Sequence, residues 1–299
     1  MTIIEIKNSE LSVGINTYGS ELMYINSSNG TEFLWNGDKN VWSYRAPILF
    51  PICGGLKDDT YKYEGKEYVL KKHGFARKSE FAGTRISDTK AEFVLESNDE
   101  TLKVYPFEFR LKIIFELEGN KLKISNVVEN LSDKEMYFSI GAHEGYSCPE
   151  GIEDYEIKFD EEQTLDSYIL NGNLLENNSL RIIENANVLP LKYKYFTVDA
   201  LVFKNIKFSK VTLAHKNSNK KVIVDFDGAN YFLLWTKPGA NYICLEPWNG
   251  VQDIIGSNYD ITCKEGIIKL VGGKSHLFEH TIECFFLNSY FKNRNAFVF

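Results

Sequence analysis

Period-two alternation of apolar and polar residues is the feature that most constrains how this chain can fold. Every odd position of residues 111–117 is apolar, so one face of an extended strand there is entirely hydrophobic. A Gly119-Asn120 link joins this run to a second alternating run at residues 121–130. Two-residue links of this type between alternating runs are typical of β-hairpins. The pattern predicts a long antiparallel hairpin with one buried face.

Short strand-like segments separated by Gly, Asn and Asp turns continue along most of the chain. They are residues 10–15, 32–35, 67–70, 92–97, 135–140, 155–159, 211–215, 221–226, 231–235 and 266–270. No long segment has helical periodicity, and residues 253–257 are expected to form a single turn at most. Many short strands between turns favour an all-β fold, namely a large antiparallel sandwich.

A single domain covering residues 1–299 is the simplest organisation. All-β domains often reach this length, and the sequence has no internal repeat, low-complexity tract or Pro/Gly/Ser-rich linker. The Asn-rich segment 170–189 is interpreted as a polar excursion over one face rather than a domain boundary. The aromatic and basic stretch 290–294 is interpreted as the solvated end of a packed final strand.

Composition narrows the classes of partner. The chain is 43% hydrophobic and 14% aromatic, which is ample for a large core. Its net charge of −7 argues against nucleic-acid binding, and no apolar run approaches the roughly 18 residues needed to span a bilayer. Five cysteines without a C-x-x-C spacing, and an N-terminus without secretory features, predict reduced thiols in the cytoplasm. Both a monomer and a homodimer remain open.

Two histidines and one glutamate stand in unusual short contexts. His73 lies in the motif KHGFAR, His143 in GAHEGY and Glu246 in LEPWNG. An imidazole and a carboxylate can divide acid and base work near neutral pH if the fold brings them together. The tryptophan beside Glu246 would offer an apolar face to a sugar ring. The combination points to proton transfer on a carbohydrate, with three unrelated polar residues at strand ends as the alternative.

With these motifs the chain resembles the aldose 1-epimerase (galactose mutarotase) family, most closely its LacX-like branch. The resemblance covers nearly the whole chain and includes residues 45–51 (RAPILFP), 61–68 (YKYEGKEY) and 196–201 (FTVDAL), in the family's order. It implies a β-supersandwich with an open sugar-binding cleft. It also implies interconversion of the α and β anomers of a hexose without a metal or organic cofactor.

The resemblance further implies a role for several residues. Glu246 corresponds to the general base that removes the proton from the anomeric hydroxyl, and His143 to the general acid that protonates the ring oxygen. His73 and Asp199 resemble the residues that hold ring hydroxyls. Trp235 is a candidate stacking platform, with a core position as the alternative. The chemistry agrees, since ring opening needs one proton removed at O1 and one delivered at O5.

One position departs from the family pattern. Relatives often carry an Arg where this chain has Gly55, so a ligand-binding cation is missing there, and Arg45, Lys57 and Arg77 are candidate replacements. A guanidinium matches phosphate bidentately. Resemblance of the KHGFAR motif to that of hexose-6-phosphate mutarotases implies that Arg77 and Arg45 together recognise a phosphosugar. The alternative is that Arg77 braces its loop through a carboxylate pair.

Two other classes of function compete with a mutarotase. A non-catalytic carbohydrate-binding or sensing protein would keep the cleft without turnover. A metal-dependent hydrolase would use His73, His143 and Glu246 as ligands, but the sequence has no short-range pair such as His-x-His to support it. No metal is therefore expected.

Overall fold

The computed structural model describes residues 2–285, and the predicted tail at 290–294 lies outside them. Its strands are β1 (Ile3–Lys7), β2 (Leu11–Asn16), β3 (Glu21–Ser27), β4 (Thr60–Tyr63), β5 (Lys66–Val69), β6 (Ala82–Arg85), β7 (Lys90–Glu96), β8 (Phe109–Glu118), β9 (Lys121–Asn130), β10 (Met136–Phe138), β11 (Ile140–Gly141), β12 (Glu144–Ser147), β13 (Tyr155–Asn171), β14 (Leu174–Pro190), β15 (Leu201–Lys204), β16 (Lys210–His215), β17 (Lys221–Phe226), β18 (Tyr231–Trp235), β19 (Tyr242–Asn249), β20 (Ile268–Leu270) and β21 (Ser275–Phe285).

Helical structure is sparse. Helix α1 spans Asp99–Val104, and single 3-10 turns lie at Lys57–Asp59, Ala76–Lys78, Ile152–Asp154, Tyr193–Phe196 and Ile261–Cys263. Within residues 2–285, no helix combines the length and the apolar composition needed to cross a bilayer.

One large antiparallel sheet dominates the fold. Its strands follow the order β11-β19-β18-β15-β13-β16-β17-β21-β9-β8-β7-β6, with β12 also on β19 and β14 also on β13. Strands β1–β3 form a separate three-stranded sheet, and β4–β5 and β10–β20 form two-stranded sheets. The predicted all-β antiparallel architecture is confirmed. It brings β19, β18 and β12 side by side, and these strands carry the site described below.

The hairpin expected from alternation is β8–β9. Glu118 pairs with Lys121 across the Gly119-Asn120 link, and Gly119 adopts a φ of +56°, a conformation that favours glycine. Alternate residues of β8 are buried, as the pattern predicts. Burying each large apolar side chain contributes about 1.5–3 kcal/mol, and this face therefore supplies much of the core.

Segment 170–189 corrects the expectation of a polar excursion. Most of it belongs to β14, which pairs with β13 in a hairpin of two 17-residue strands that turns at Gly172. Much of β14 is exposed, so its polar composition reflects solvent contact rather than irregular structure. The hairpin tip docks through Leu175, whose N–H donates to Asp253 O at 2.8 Å and whose O accepts from Ile255 N at 3.0 Å.

Of two further local predictions, one is wrong and one is confirmed. The strand expected at residues 32–35 is wrong, because Glu32 and Leu34 make only isolated bridges there. The single turn expected within residues 253–257 is confirmed at 255–256, and Ile254 beside it also bridges to Leu175 and so receives the hairpin tip.

Candidate active site

Strand β19 forms the floor of the site. All of its residues are buried, and alternation places Cys244, Glu246 and Trp248 on one face. On the neighbouring strand β18, Leu233 lies opposite Glu246 and Trp235 lies opposite Cys244. A carboxylate thus stands in the middle of an apolar and aromatic surface.

His143 lies in the short gap between β11 and β12, which both pair with β19. The gap is held by two hydrogen bonds: Ala142 N donates to Pro247 O at 3.1 Å, and Trp248 Nε1 donates to Ala142 O at 3.0 Å. As a result His143 Nε2 lies 3.4 Å from Glu246 Oε2, and both side chains are buried. The sequence separates these residues widely, whereas the sheet places them in contact.

His73 reaches the same place from a strained turn. Its φ of +68° is unusual for a residue with a side chain, and two contacts to Gly54 hold it. The His73 backbone N–H donates to Gly54 O at 2.8 Å, and its Nδ1 accepts from Gly54 N at 3.1 Å. Because Nδ1 is an acceptor, neutral His73 carries its proton on Nε2. Its ring centroid lies 5.6 Å from that of His143.

The three residues open into one cleft of about 270 Å³. This volume lies near the lower end of the range for small-molecule sites and suits a monosaccharide. Six of the seven predicted site residues line the cleft: Glu246, His143, His73, Asp199, Arg77 and Trp235.

Arg45 is the exception, and its predicted place in the cleft is corrected here. Its guanidinium donates to Asn36 O and faces a separate surface depression beside Met23. Arg77 does reach the cleft, but it donates to Lys72 O at 2.9 Å and lies over the ring of Tyr44 at 5.2 Å. The two arginines therefore do not converge on a common anion site.

Burial shifts the pKa values of the Glu246–His143 pair. Burial raises the pKa of Glu246 well above its usual 4.5, and Lys72 opposes this only in part. Burial, followed by the charges of Lys72 and Arg77, lowers the pKa of His143 to about 3. Both shifts favour the uncharged forms, so within the pair a single proton is held more readily by Glu246 than by His143. Burial also lowers the pKa of His73 well below 6.5, so His73 is a neutral donor.

Comparison with known proteins places this geometry in a family. A family model described as aldose 1-epimerase matches residues 2–255. The chain belongs to the aldose 1-epimerase family. Protein LacX (plasmid) of Lactococcus lactis subsp. lactis is 33% identical over 282 residues, which cover 90% of this chain and 94% of the relative. The resemblance to the LacX-like branch is thereby confirmed.

Two solved structures share the fold over nearly their whole length. A galactose mutarotase related enzyme from Lactobacillus acidophilus has a TM-score of 0.90 at 31% identity, covering 95% of this chain and 97% of that one. A galactose mutarotase-like protein from Lactobacillus casei has a TM-score of 0.90 at 28% identity, covering 95% and 100%.

Sequence reasoning missed several cleft residues of this aldose 1-epimerase family member. They are Trp42, Lys72, Asn173 and Gln252. The Trp42 ring stacks on His143 with centroids 5.2 Å apart, and Lys72 Nζ lies 4.0 Å from Asp199 Oδ2. Of the four, only Lys72 had a nearby signal, because it precedes His73 directly.

One cluster within residues 2–285 has the donor atoms for a metal: His143, Cys244 and Glu246, whose ligand atoms lie within 4.8 Å of one another. It differs from the ligand set of the metal-dependent alternative, His73, His143 and Glu246, since Cys244 stands in for His73. Burial raises the pKa of the Cys244 thiol and of the Glu246 carboxyl, which favours the protonated form of both groups. Protonated thiols and carboxyls are poor metal ligands, and the cluster fits acid–base chemistry better.

Behind the cleft, Glu144 and His280 form a second buried pair, with Oε1 and Nε2 3.1 Å apart. His280→Leu should lower the free energy of unfolding by about 3 kcal/mol, because it leaves the Glu144 carboxylate buried without its partner. Urea unfolding measures this. The control is His276→Leu on the same strand β21, where Nε2 has no hydrogen-bond partner within residues 2–285. Equal losses in both variants would show that the Glu144 pair contributes nothing specific.

Proposed function

We propose that this protein is a mutarotase that interconverts the α and β anomers of an unphosphorylated hexose. The observation that carries the proposal is the Glu246–His143 contact of 3.4 Å at the floor of a cleft of monosaccharide size. Membership of the aldose 1-epimerase family supports the reaction class. The sequence predicts five reduced cysteines, which favours action in the cytoplasm. All five thiols are free, four of them buried and one exposed.

The pair supplies both proton transfers of the reaction. Transfer of its one proton from Glu246 to His143 produces a carboxylate base and an imidazolium acid. The carboxylate then removes the O1 proton, the C1–O5 bond breaks as C1=O1 forms, and O5 takes the proton from His143. Rotation about C1–C2 followed by the reverse transfers closes the ring as the other anomer. The pair ends with the same single proton.

The surrounding residues orient the sugar. Neutral His73 offers its Nε2–H to a hydroxyl, and Asp199, whose Oδ2 lies 4.0 Å from Lys72 Nζ, offers a hydrogen-bond acceptor. Trp235 and Trp42 are both partly exposed at the cleft, with ring centroids 5.3 Å apart at 75°. The Trp42 ring already stacks on His143 and Tyr242, so Trp235 is the candidate platform for a sugar ring.

The test is the relaxation of freshly dissolved α-anomers, followed by polarimetry on a panel of hexoses and hexose-6-phosphates. We expect acceleration of at least one free hexose over the spontaneous rate. Sugar binding without acceleration across the panel would instead identify a carbohydrate sensor. Acceleration restricted to the 6-phosphates would overturn the choice of a free hexose, which rests on Arg45 and Arg77 failing to converge.

The pH dependence follows from the proton count of the pair. The singly protonated pair is the reactive form, and it persists from about pH 3 up to the raised pKa of Glu246. We expect kcat/KM, corrected for the spontaneous rate, to stay nearly constant between these two limits, with no acid limb near the ordinary pKa of a histidine. It should fall on the alkaline side as the last proton leaves. An acid limb centred near 6.5 would mean that His143 titrates as an ordinary histidine.

Metal removal should have little effect on the rate. Both proton transfers are assigned to side chains, so prolonged treatment with EDTA should leave kcat within about twofold of the untreated value. Mass spectrometry of the same samples measures how much metal is bound per protein. The contradicting result would be stoichiometric bound metal, loss of activity in EDTA and recovery of activity when the metal is added back. It would replace the acid–base assignment with a metal centre at His143, Cys244 and Glu246.

A further inference from the structure

Two adjacent glycines form one wall of the cleft, and each packs against a residue with a side-chain amide. A Cβ atom on Gly54 would lie 2.4 Å from Gln252 Cβ, and a Cβ atom on Gly55 would lie 2.7 Å from Asn173 Cβ. Both distances are too short for real side chains. The two amide residues therefore occupy space that side chains at positions 54 and 55 would need.

This wall is held by contacts among three separate segments. Asp253 N donates to Gly55 O at 2.9 Å, and Leu175 N donates to Asp253 O at 2.8 Å. The Asp253 carboxylate also pairs with Lys264 Nζ at 2.9 Å, and both of these side chains are buried. The tip of the β13–β14 hairpin is thus fixed against the glycine turn, and the amides have defined positions.

The side-chain amide of Gln252 is incompletely hydrogen-bonded. The residue is only 4% exposed, it lines the cleft, and its Oε1 has no hydrogen-bond partner within residues 2–285. A buried carbonyl oxygen without a donor is unfavourable. A hydroxyl group of a ligand in the cleft would supply that donor. Asn173 lies on the exposed rim of the same cleft and offers a second amide.

We propose that Gln252 and Asn173 form a subsite that recognises an uncharged hydroxyl or hydroxymethyl group of the sugar. The inference rests on the proposed function and deepens it by naming two residues that would select among neutral sugars. An amide presents both a donor and an acceptor, which matches the two-way hydrogen bonding of a hydroxyl. Each cation of the cleft already has a partner: Lys72 Nζ lies 4.0 Å from Asp199 Oδ2, and Arg77 donates to the Lys72 carbonyl.

The experiment measures KM, kcat and sugar affinity for three variants and one control. Gln252→Met keeps the side-chain length without hydrogen-bonding groups, Asn173→Ala removes the rim amide, and Gly55→Ala displaces the hairpin tip. Asn178→Ala is the matched control, because it makes the same change on an exposed part of β14 outside the cleft. Ligand-observed NMR titration with D-glucose and D-galactose gives affinity independently of turnover, and thermal unfolding reports on the fold.

We expect each of the three variants to raise both KM and the sugar dissociation constant by about threefold to tenfold, the effect of one or two lost hydrogen bonds. The value of kcat and the Asn178→Ala control should change less than twofold. Monodeoxy sugars then identify the hydroxyl group that Gln252 contacts. The analogue that lacks this hydroxyl should bind wild type and Gln252→Met with equal affinity.

Unchanged affinity in Gln252→Met and Asn173→Ala would overturn the subsite. So would equal losses of kcat, affinity and stability, which would mark a structural role only. If wild type binds sugar without turning it over, the proposed mutarotase function fails while the affinities still decide the subsite. Absence of sugar binding by wild type would overturn both.

Discussion

Glu246→Gln should lower kcat by about 10²–10⁴-fold while leaving sugar affinity within a few-fold of wild type. The amide keeps the shape of the carboxyl group but cannot accept the O1 proton, and positioned acid–base groups typically contribute this much. Anomerisation kinetics together with NMR titration separate the two quantities. A variant within a few-fold of wild type in kcat would remove Glu246 from the role of base.

The same variant should be more stable than wild type at neutral pH, which distinguishes lost chemistry from lost folding. Burial raises the folded-state pKa of Glu246. Below about pH 4.5 the group is protonated in both states and costs nothing. As pH rises further, the unfolded chain ionises first, and wild type loses about 1.4 kcal/mol of stability for each pH unit up to the folded pKa. Gln cannot ionise, so the stability difference should grow with pH.

His143→Asn should produce a second loss of about 10²–10⁴-fold in kcat, because the ring oxygen then receives no proton from the enzyme as the C1–O5 bond breaks. The control is His215→Asn, which alters a histidine outside the cleft. Adding Glu246→Gln to His143→Asn should cost little more than either change alone, since the two groups act on one shared proton.

Multiplicative losses in the double variant, with the two single effects combining in full, would contradict that coupling. They would mean that His143 and Glu246 act at independent steps. In that case the 3.4 Å contact between them would describe packing rather than a shared proton.

The regular part of the fold could be predicted because its physics is local. The β8–β9 hairpin follows from alternation and from a glycine at the turn, both visible within about 20 residues of sequence. The β13–β14 hairpin could not be predicted in the same way. Much of β14 is exposed and polar, so the alternation that marks a half-buried strand is absent there.

The site residues likewise divide into those that local motifs indicate and those that only long-range packing places in the cleft. Short motifs indicated Glu246, His143 and His73, and the sheet brings them together. Arg45 was misplaced because a motif fixes the residue but not the direction of a long side chain, which here turns back to Asn36. Gln252 reaches the cleft only through packing between distant segments, and no local pattern encodes such a contact.

The most direct test of the mutarotase mechanism is magnetisation-transfer NMR between the α and β anomeric protons of a free hexose at equilibrium. It observes interconversion of the two anomers directly, without a net reaction or a coupling enzyme. We predict that wild type raises the exchange rate of at least one of glucose and galactose in proportion to enzyme concentration, and that Glu246→Gln abolishes nearly all of the increase. Exchange at the spontaneous rate with wild type, while the same sample shows bound sugar, would contradict the account.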